Sequence, residues 1–183
     1  MLTRDAALAK LHEWIENPAL IHHCLCVETV MRKAYSVYGS PEDDIERWAL
    51  AGLLHDADWE KYPNTHPAVT VAWLREIGAE DIAYAVSAHF TEWNVPYRSQ
   101  LDKALVACDE LTGFVVACAR VRPDGIATLE PSSVMKKLKQ PKFAAGVART
   151  EVNAGVELLN VGLEPHIQLI IEALRENANE LSL

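Results

Sequence analysis

The chain has 183 residues, of which 50% are hydrophobic and 23% are charged, a composition typical of one globular domain with a substantial core. Its formal net charge of −9 argues against general binding to nucleic acid, which depends on a basic surface. No apolar run approaches the roughly 20 residues that span a bilayer, and the N-terminus lacks a signal-peptide pattern, so we expect a cytoplasmic protein without membrane contact.

Helical signals dominate the first half of the chain. Thr3 or Asp5 can cap the first helix, and Pro18 occupies the first turn of the second. Glycine and proline residues mark the ends of successive helices. The helices predicted in this half are Asp5–Ile15, Pro18–Tyr38, a segment from about Ile45 through the apolar run Leu50–Leu54, Pro67–Ile77 and Asp81–Phe90.

The second half is also predicted to be helical. A long apolar helix extends from about Ser99 to Arg120, where the turn-forming Pro123-Asp124-Gly125 breaks it. The shorter helices predicted after this break are Ser132–Leu138, Lys142–Ala148, Glu151–Leu159 and Pro165–Asn177. Neither apolar/polar alternation nor hairpin turns indicate strands. The sequence therefore predicts an all-α fold, a single compact multi-helix bundle of about eight to ten helices.

Two groups of residues stand outside this pattern. The cysteines lie in apolar helical surroundings without metal-binding spacing and are predicted to be reduced core thiols; they are Cys24, Cys26, Cys108 and Cys118. A cluster of lysines interrupts the acidic balance of the chain; it comprises Lys136, Lys137, Lys139 and Lys142. This cluster could be a solvated helix face or a local contact for phosphate or a partner.

An adjacent pair, His55 and Asp56, ends the apolar run that begins at Leu50. Burial of an unpartnered polar group costs roughly 2–7 kcal/mol, so some interaction must offset the burial of this pair. A metal ion bound by both side chains would do so. Because neighbouring residues on a helix are about 100° apart, the two side chains can converge only where the helix ends in a loop.

Four further polar residues are predicted to face inward. His23 flanks the buried stripe of the second helix, whereas His22 lies on the wetter face, so helical phase selects His23. His89 extends an apolar stripe, and His66 begins the fourth helix. Asp109 interrupts an apolar run in the long helix, where an aspartate is almost never fully buried without a partner.

Each of these residues also has a structural interpretation when it is taken alone. A single histidine on an apolar face is more often a hydrogen-bonded core residue than a ligand, and Asp109 could cap a helix or pair with Lys103 or Arg120. His12 is interpreted as a surface residue and His166 as a structural one. Four histidines and two aspartates together favour a metal site, whose candidate ligands are His23, His55, Asp56, His66, His89 and Asp109.

With these residues in order, the sequence resembles the HD superfamily of metal-dependent phosphohydrolases. The pattern of that family is H…HD…D, with two extra histidines in members that hold two metals. The segments that match are Ala51-Gly-Leu-Leu-His-Asp, Thr65-His-Pro-Ala, Ala85-Val-Ser-Ala-His and Leu101-Asp-Lys-Ala-Leu-Val-Ala-Cys-Asp-Glu, and the match extends over roughly Leu20 to Gly113. The sequence departs from several two-metal relatives at Trp59, where they carry lysine.

The resemblance implies an HD-type domain over residues 1–183, with a metal-site core at about 18–120 and C-terminal helices at 130–180 packing on it. It also implies one or two divalent ions. Imidazole and carboxylate ligands without thiolate suit Fe, Mn, Co, Zn or Mg. In a two-metal site Asp56 would bridge the ions, with His23, His55 and Asp109 completing one site and His66 and His89 the other. A one-metal variant would use only His23, His55, Asp56 and Asp109.

The function implied by the resemblance is hydrolysis of a small phosphorylated substrate, nucleotide-like, by a metal-activated water. Asp58 could be a solvated acid, a support for a ligand or an acid/base group, and it is the candidate water-orienting or leaving-group acid. Lys61 is the second catalytic candidate, through a contact with phosphate. The nearest basic candidates for substrate binding are Arg98, Lys103 and Arg120. The alternatives are a non-catalytic HD module that binds a metal or nucleotide, and a di-iron oxygenase. A homodimer is also possible.

Overall fold

The computed structural model describes residues 2–183, which form ten α-helices and one short 3₁₀ helix, with no strand in this range. The α-helices are α1 (Arg4–Trp14), α2 (Pro18–Tyr38), α3 (Ile45–Leu54), α4 (Ala68–Glu76), α5 (Glu80–His89), α6 (Gln100–Arg120), α7 (Pro131–Leu138), α8 (Arg149–Leu159), α9 (Leu163–Glu176) and α10 (Ala178–Leu181). The prediction of an all-α fold is therefore confirmed. Among the described residues, no helix combines the length and the apolar character that crossing a bilayer requires.

Local capping explains where the two longest helices begin. Asn17 caps α2 by accepting a hydrogen bond from the Ala19 amide at 2.9 Å. At α6, the Ser99 hydroxyl accepts from the Asp102 amide at 3.1 Å, and the Asp102 carboxylate accepts from the Ser99 amide at 3.0 Å. This reciprocal arrangement satisfies amides that have no partner inside the helix. Because this arrangement fixes the start of α6, it also fixes the position of Asp109, which lies seven residues after Asp102 on the same helix.

The core surrounds α2 and α6, which pack against each other. Helix α2 also contacts α3 and α9, while α6 contacts α5 and α8. Fully buried side chains such as Met31, Leu53, Ile82 and Leu105 fill the space between these helices. Polar residues on the inward faces of α2, α3, α5 and α6 are therefore brought to one region.

The prediction of a helix at Lys142–Ala148 is wrong, because this segment forms successive turns. Ala144 has a positive φ of 43°, which an α-helix does not accommodate. The guanidinium of Arg149 donates to the carbonyl oxygens of Ala144 at 2.6 Å and Val147 at 2.8 Å. A tertiary contact thus satisfies carbonyl groups that helical hydrogen bonds would otherwise use.

The cysteines lie in the core as predicted, and the lysine cluster is mostly exposed, as both of its interpretations require. All four cysteines are buried and unpaired. Burial raises the pKa of the Cys24 and Cys26 thiols to about 12, which keeps them protonated. In the lysine cluster, Lys137 lies 4.1 Å from the centre of the Phe143 ring, and the other three lysines are exposed.

His166 is buried, and its ring accepts a hydrogen bond from the Tyr38 hydroxyl and donates one to the Ala107 carbonyl.

Candidate metal centre

The centre begins where α3 ends, at His55 and Asp56. The His55 ring is fully buried, and its Nδ1 donates to the carbonyl of Gly52 at 2.8 Å. This hydrogen bond places a ring proton on Nδ1, so Nε2 is the nitrogen that faces the interior and would bind a metal ion. Since α3 stops at Leu54, the next two side chains turn toward the same space, as the sequence predicts for a helix that ends in a loop.

One group of ligand atoms joins α2, the end of α3 and α6. His23 Nε2 lies 3.2 Å from His55 Nε2 and 2.9 Å from Asp109 Oδ1. The same Asp109 oxygen lies 3.2 Å from His55 Nε2. Asp56 Oδ2 is 3.4 Å from His55 Nε2 and 4.0 Å from His23 Nε2. Two carboxylate oxygens thus lie within 4.0 Å of the two imidazole nitrogens, and His23, His55 and Asp56 could together hold a metal ion.

A second group lies on the other side of Asp56. Its Oδ1 is 3.5 Å from His66 Nε2 and 3.7 Å from His89 Nε2. His66 comes from the loop before α4, and His89 is the last residue of α5. The two oxygens of Asp56 therefore face two different groups of donors, and each group could hold a metal ion. The structure brings together all six candidate ligands that the sequence indicates.

Hydrogen bonds behind the second group orient its rings. His66 Nδ1 donates to Asp58 Oδ1 at 2.7 Å, and His89 Nδ1 donates to the Val86 carbonyl at 2.6 Å. In both rings Nε2 is left free to act as a ligand. Partners of this kind fix the tautomer and raise the basicity of a metal-binding histidine.

Asp58 lies behind the His66 ring and not among the ligand atoms. Its carboxylate is fully buried, with one oxygen accepting from His66 and the other from the Thr70 amide at 2.9 Å. Both oxygens are therefore engaged away from any solvent-filled space. Asp58 is therefore placed to orient His66, and its role as a water-orienting or leaving-group acid stays a prediction.

The electrostatics of the cluster match a site for a cation. Burial lowers the pKa of the His55 imidazole, but the carboxylates of Asp109 and Asp56 outweigh this effect and hold the pKa well above its usual value. For Asp56 and Asp109, burial raises the pKa, but the neighbouring histidines outweigh this effect and hold the pKa of both carboxyl groups well below the usual range. The carboxylates thus stay ionised and attract positive charge. The donor set, imidazole nitrogen and carboxylate oxygen without thiolate, fits a divalent ion.

A cavity of about 570 Å³ opens beside the ligands. Its floor includes His23, Asp56, His66, His89 and Asp109. The remaining walls are made mainly of aromatic, acidic and small residues, among them Trp59, Phe90, Thr91, Glu92, Glu110, Gly113, Val147 and Glu151. A bound molecule in this space could therefore contact both groups of ligands.

The predicted basic residues do not join this cavity. Lys61 is exposed, and its Nζ faces the Glu13 carbonyl at 3.5 Å. Arg98 stacks on the Tyr84 ring at 4.3 Å. The two other candidates for substrate binding are Lys103 and Arg120, and neither lines the cavity. None of the four lines the cavity, so a role for them in catalysis or substrate binding stays a prediction.

The sequence interpretation missed the acidic walls. Glu110 follows a candidate ligand on α6, and Glu151 lies on α8, far away in the chain. Burial, together with the nearby Asp109, raises the pKa of Glu110. Neither residue belongs to a recognisable spacing, because the turns at 139–148 and the packing of α8 on α6 bring them to the cavity. In the sequence, only the place of Glu110 next to Asp109 could have indicated that Glu110 lines the cavity.

These features define a helical protein with a paired histidine and aspartate centre suited to divalent metals. The family model of the HD domain matches residues 20–113, just over half of the chain. The chain belongs to the HD domain family, as its resemblance predicts. No curated protein and no solved structure matches the chain.

Replacing Asp58 with asparagine should weaken the second group of ligands. The substitution removes the charge that orients His66, and loss of such a partner typically costs 10–100-fold in metal affinity, so we expect a loss of about that size at one site. Titration of metal-free protein with Mn²⁺ or Zn²⁺ by calorimetry would measure it. If both sites kept their affinity for metal and only catalysis failed, the result would favour Asp58 as a water-orienting or leaving-group acid.

Proposed function

We propose that the protein is a metal-dependent phosphohydrolase that binds two divalent ions. One observation carries the proposal: the two oxygens of Asp56 face separate groups of donors, and both groups border the same cavity. Membership of the HD domain family supports the proposal of a metal-dependent phosphohydrolase. In the proposed site His23, His55 and Asp109 hold one ion with Asp56, while His66 and His89 hold the other.

Divalent ions bound there would supply Lewis acidity, which lowers the pKa of a water molecule and polarises a phosphoryl group. The protein side chains have other tasks. Asp56 keeps the two groups of donors at a fixed separation, and Asp58 and the Val86 carbonyl orient the rings of His66 and His89. Trp59 and Phe90 form apolar walls that limit the access of bulk water to the centre.

The substrate class follows from size and from the walls. The cavity accommodates a molecule of metabolite size, and flat apolar groups can stack on Trp59 or Phe90. A small phosphoester or phosphoanhydride, nucleotide-like in size, fits these properties. Among the described residues no lysine or arginine lines the cavity, so in this proposal the metal ions supply the positive charge that a phosphate needs.

The test is to load the metal-free protein separately with Fe, Mn, Co, Zn and Mg and to assay aryl phosphates and a nucleotide panel. We expect phosphate release that depends on metal, with two ions bound per chain. Substitution His66→Ala should lower the count from two ions to one. Absence of hydrolysis with every metal and every substrate would refute the proposal, and an unchanged count in the variant would remove His66 from the site.

A further inference from the structure

The charge of the cavity walls narrows the class of substrate further than the metal ligands alone can. Beyond the ligands, three acidic residues line the cavity, namely Glu92, Glu110 and Glu151. No basic side chain lines it among the residues that the structure describes. Two aromatic rings, Trp59 and Phe90, complete the same walls, and Trp59 is 48% exposed although it is large and apolar.

Hydrogen bonds hold two of these acidic side chains in place. Glu151 Oε1 accepts from the hydroxyl of Thr91 at 3.1 Å, and Glu110 Oε2 accepts from the Ala148 amide at 2.9 Å. Each of these carboxylates keeps a second oxygen that takes part in no hydrogen bond or ion pair within residues 2–183. The acidic wall is therefore a built part of the cavity beside the metal ligands, and its remaining acceptors are available to a bound molecule.

We infer that the substrate is a phosphomonoester whose organic part carries a protonated amine and no second phosphate. This inference rests on the proposed function and narrows it. The phosphate would lie at the metal centre, and the ammonium group would lie against Glu151 and Glu92. Aromatic faces attract cations as well, so Trp59 and Phe90 favour the same group.

The same acidic walls disfavour substrates that carry more than one phosphate group. A diphosphate or triphosphate would place further negative charge against carboxylates, without a lysine or arginine to compensate. Like charges in a partly buried cavity repel more strongly than they do in water, because the local dielectric is lower. Dinucleoside polyphosphates and nucleoside triphosphates are therefore expected to be poor substrates, although their bases could stack on the aromatic walls.

The reaction balances without a further reactant. The oxygen of one water molecule forms a bond to phosphorus, and the bond between phosphorus and the ester oxygen breaks. One proton of that water goes to the leaving oxygen and the other stays on the phosphate, so the products are an amino alcohol and inorganic phosphate. The ammonium group takes no part in bond making, and its role is to select and orient the substrate.

A matched series of alkyl phosphates tests the inference. Chains of two to six methylene groups would carry a terminal amine, hydroxyl or carboxylate, and kcat/KM would be measured for each with the metal-loaded protein. We expect the best amine to exceed the hydroxyl compound of equal length by about tenfold or more, and the carboxylate to be the worst. The chain length of the best amine would report the distance from the centre to the wall.

Variants of the wall glutamates make the test specific. Glu151→Gln should reduce the preference for amine over hydroxyl toward one, and Glu92→Gln, at an exposed position, provides a second variant in case the first folds poorly. Glu157→Gln is the matched control, because Glu157 is exposed on the same helix and does not line the cavity. Calorimetric titration of the metal-loaded variants with inorganic phosphate would show that the centre itself still binds an anion.

The outcomes separate the inference from the proposed function. If aryl phosphates are hydrolysed but amines show no advantage over hydroxyl compounds, this inference is wrong and the phosphohydrolase proposal stands. If the amine preference persists unchanged in both glutamate variants, the acidic wall is not its cause and the inference is again wrong. If no phosphoester is hydrolysed with any metal, both proposals fail together.

Discussion

Replacing Asp56 with alanine should abolish binding of both metal ions and lower kcat about a thousand-fold, since a bound metal contributes several kcal/mol of transition-state stabilisation. The reason is geometric. Asp56 Oδ2 lies 3.4 Å from His55 Nε2 in one group, and Oδ1 lies 3.5 Å from His66 Nε2 in the other. No other side chain among the described residues belongs to both groups.

Asparagine at the same position gives a graded result. Asp56→Asn keeps one carbonyl oxygen but loses the negative charge, so we expect one ion to be retained more weakly and the other to be lost. Elemental analysis after desalting gives the metal count, and phosphate release gives kcat. Asp5→Asn serves as the control, because Asp5 is an exposed carboxylate in the first turn of α1. Two full equivalents of metal in Asp56→Ala would show that the ions do not share this residue.

The positions of the ligands along the chain could be predicted because they depend on local rules. Helical phase distinguishes His23 from His22, and the structure places His23 in the centre while His22 bonds to the Leu181 carbonyl at 2.7 Å. The end of α3 could be inferred from two adjacent polar residues after an apolar run. Each of these inferences requires only the 3.6-residue period and the cost of burying polar groups.

The walls of the cavity could not be predicted, because they depend on contacts between distant parts of the chain. Glu110 and Glu151 meet there only because α8 packs on α6. The turns before α8 exist because Arg149 binds carbonyl groups that a helix would use, and no propensity of residues 142–148 indicates this contact. Asp58 is a related case, since its place beside His55-Asp56 in sequence left a supporting and a catalytic role open, whereas its hydrogen bonds with His66 and the Thr70 amide favour the supporting role.

The close approach of α2 and α3 determines the geometry of the first group of ligands. A Cβ atom added at Gly52 would lie 2.8 Å from the Val27 carbonyl oxygen and 2.9 Å from the Glu28 amide nitrogen. These are backbone atoms, so no side-chain rotation can relieve the contact. The two helices would have to move apart, and they carry His23 and His55, whose Nε2 atoms are 3.2 Å apart.

Gly52→Ala should therefore lower both stability and metal affinity. Overpacking of this kind costs about 1–3 kcal/mol in the free energy of unfolding, against a gain of roughly 0.5–1 kcal/mol that alanine brings to a helix interior. Urea denaturation of the metal-free protein measures the net loss, and calorimetric titration measures the metal affinity, which we expect to fall about tenfold or more. Gly146→Ala, in a turn on the cavity wall, controls for the added methyl group in the stability and metal-affinity measurements, since its new Cβ would meet nothing within 4 Å. A Gly52→Ala protein as stable as the wild type would show that α2 and α3 are not in backbone contact, and the arrangement of His23 against His55 would then need revision.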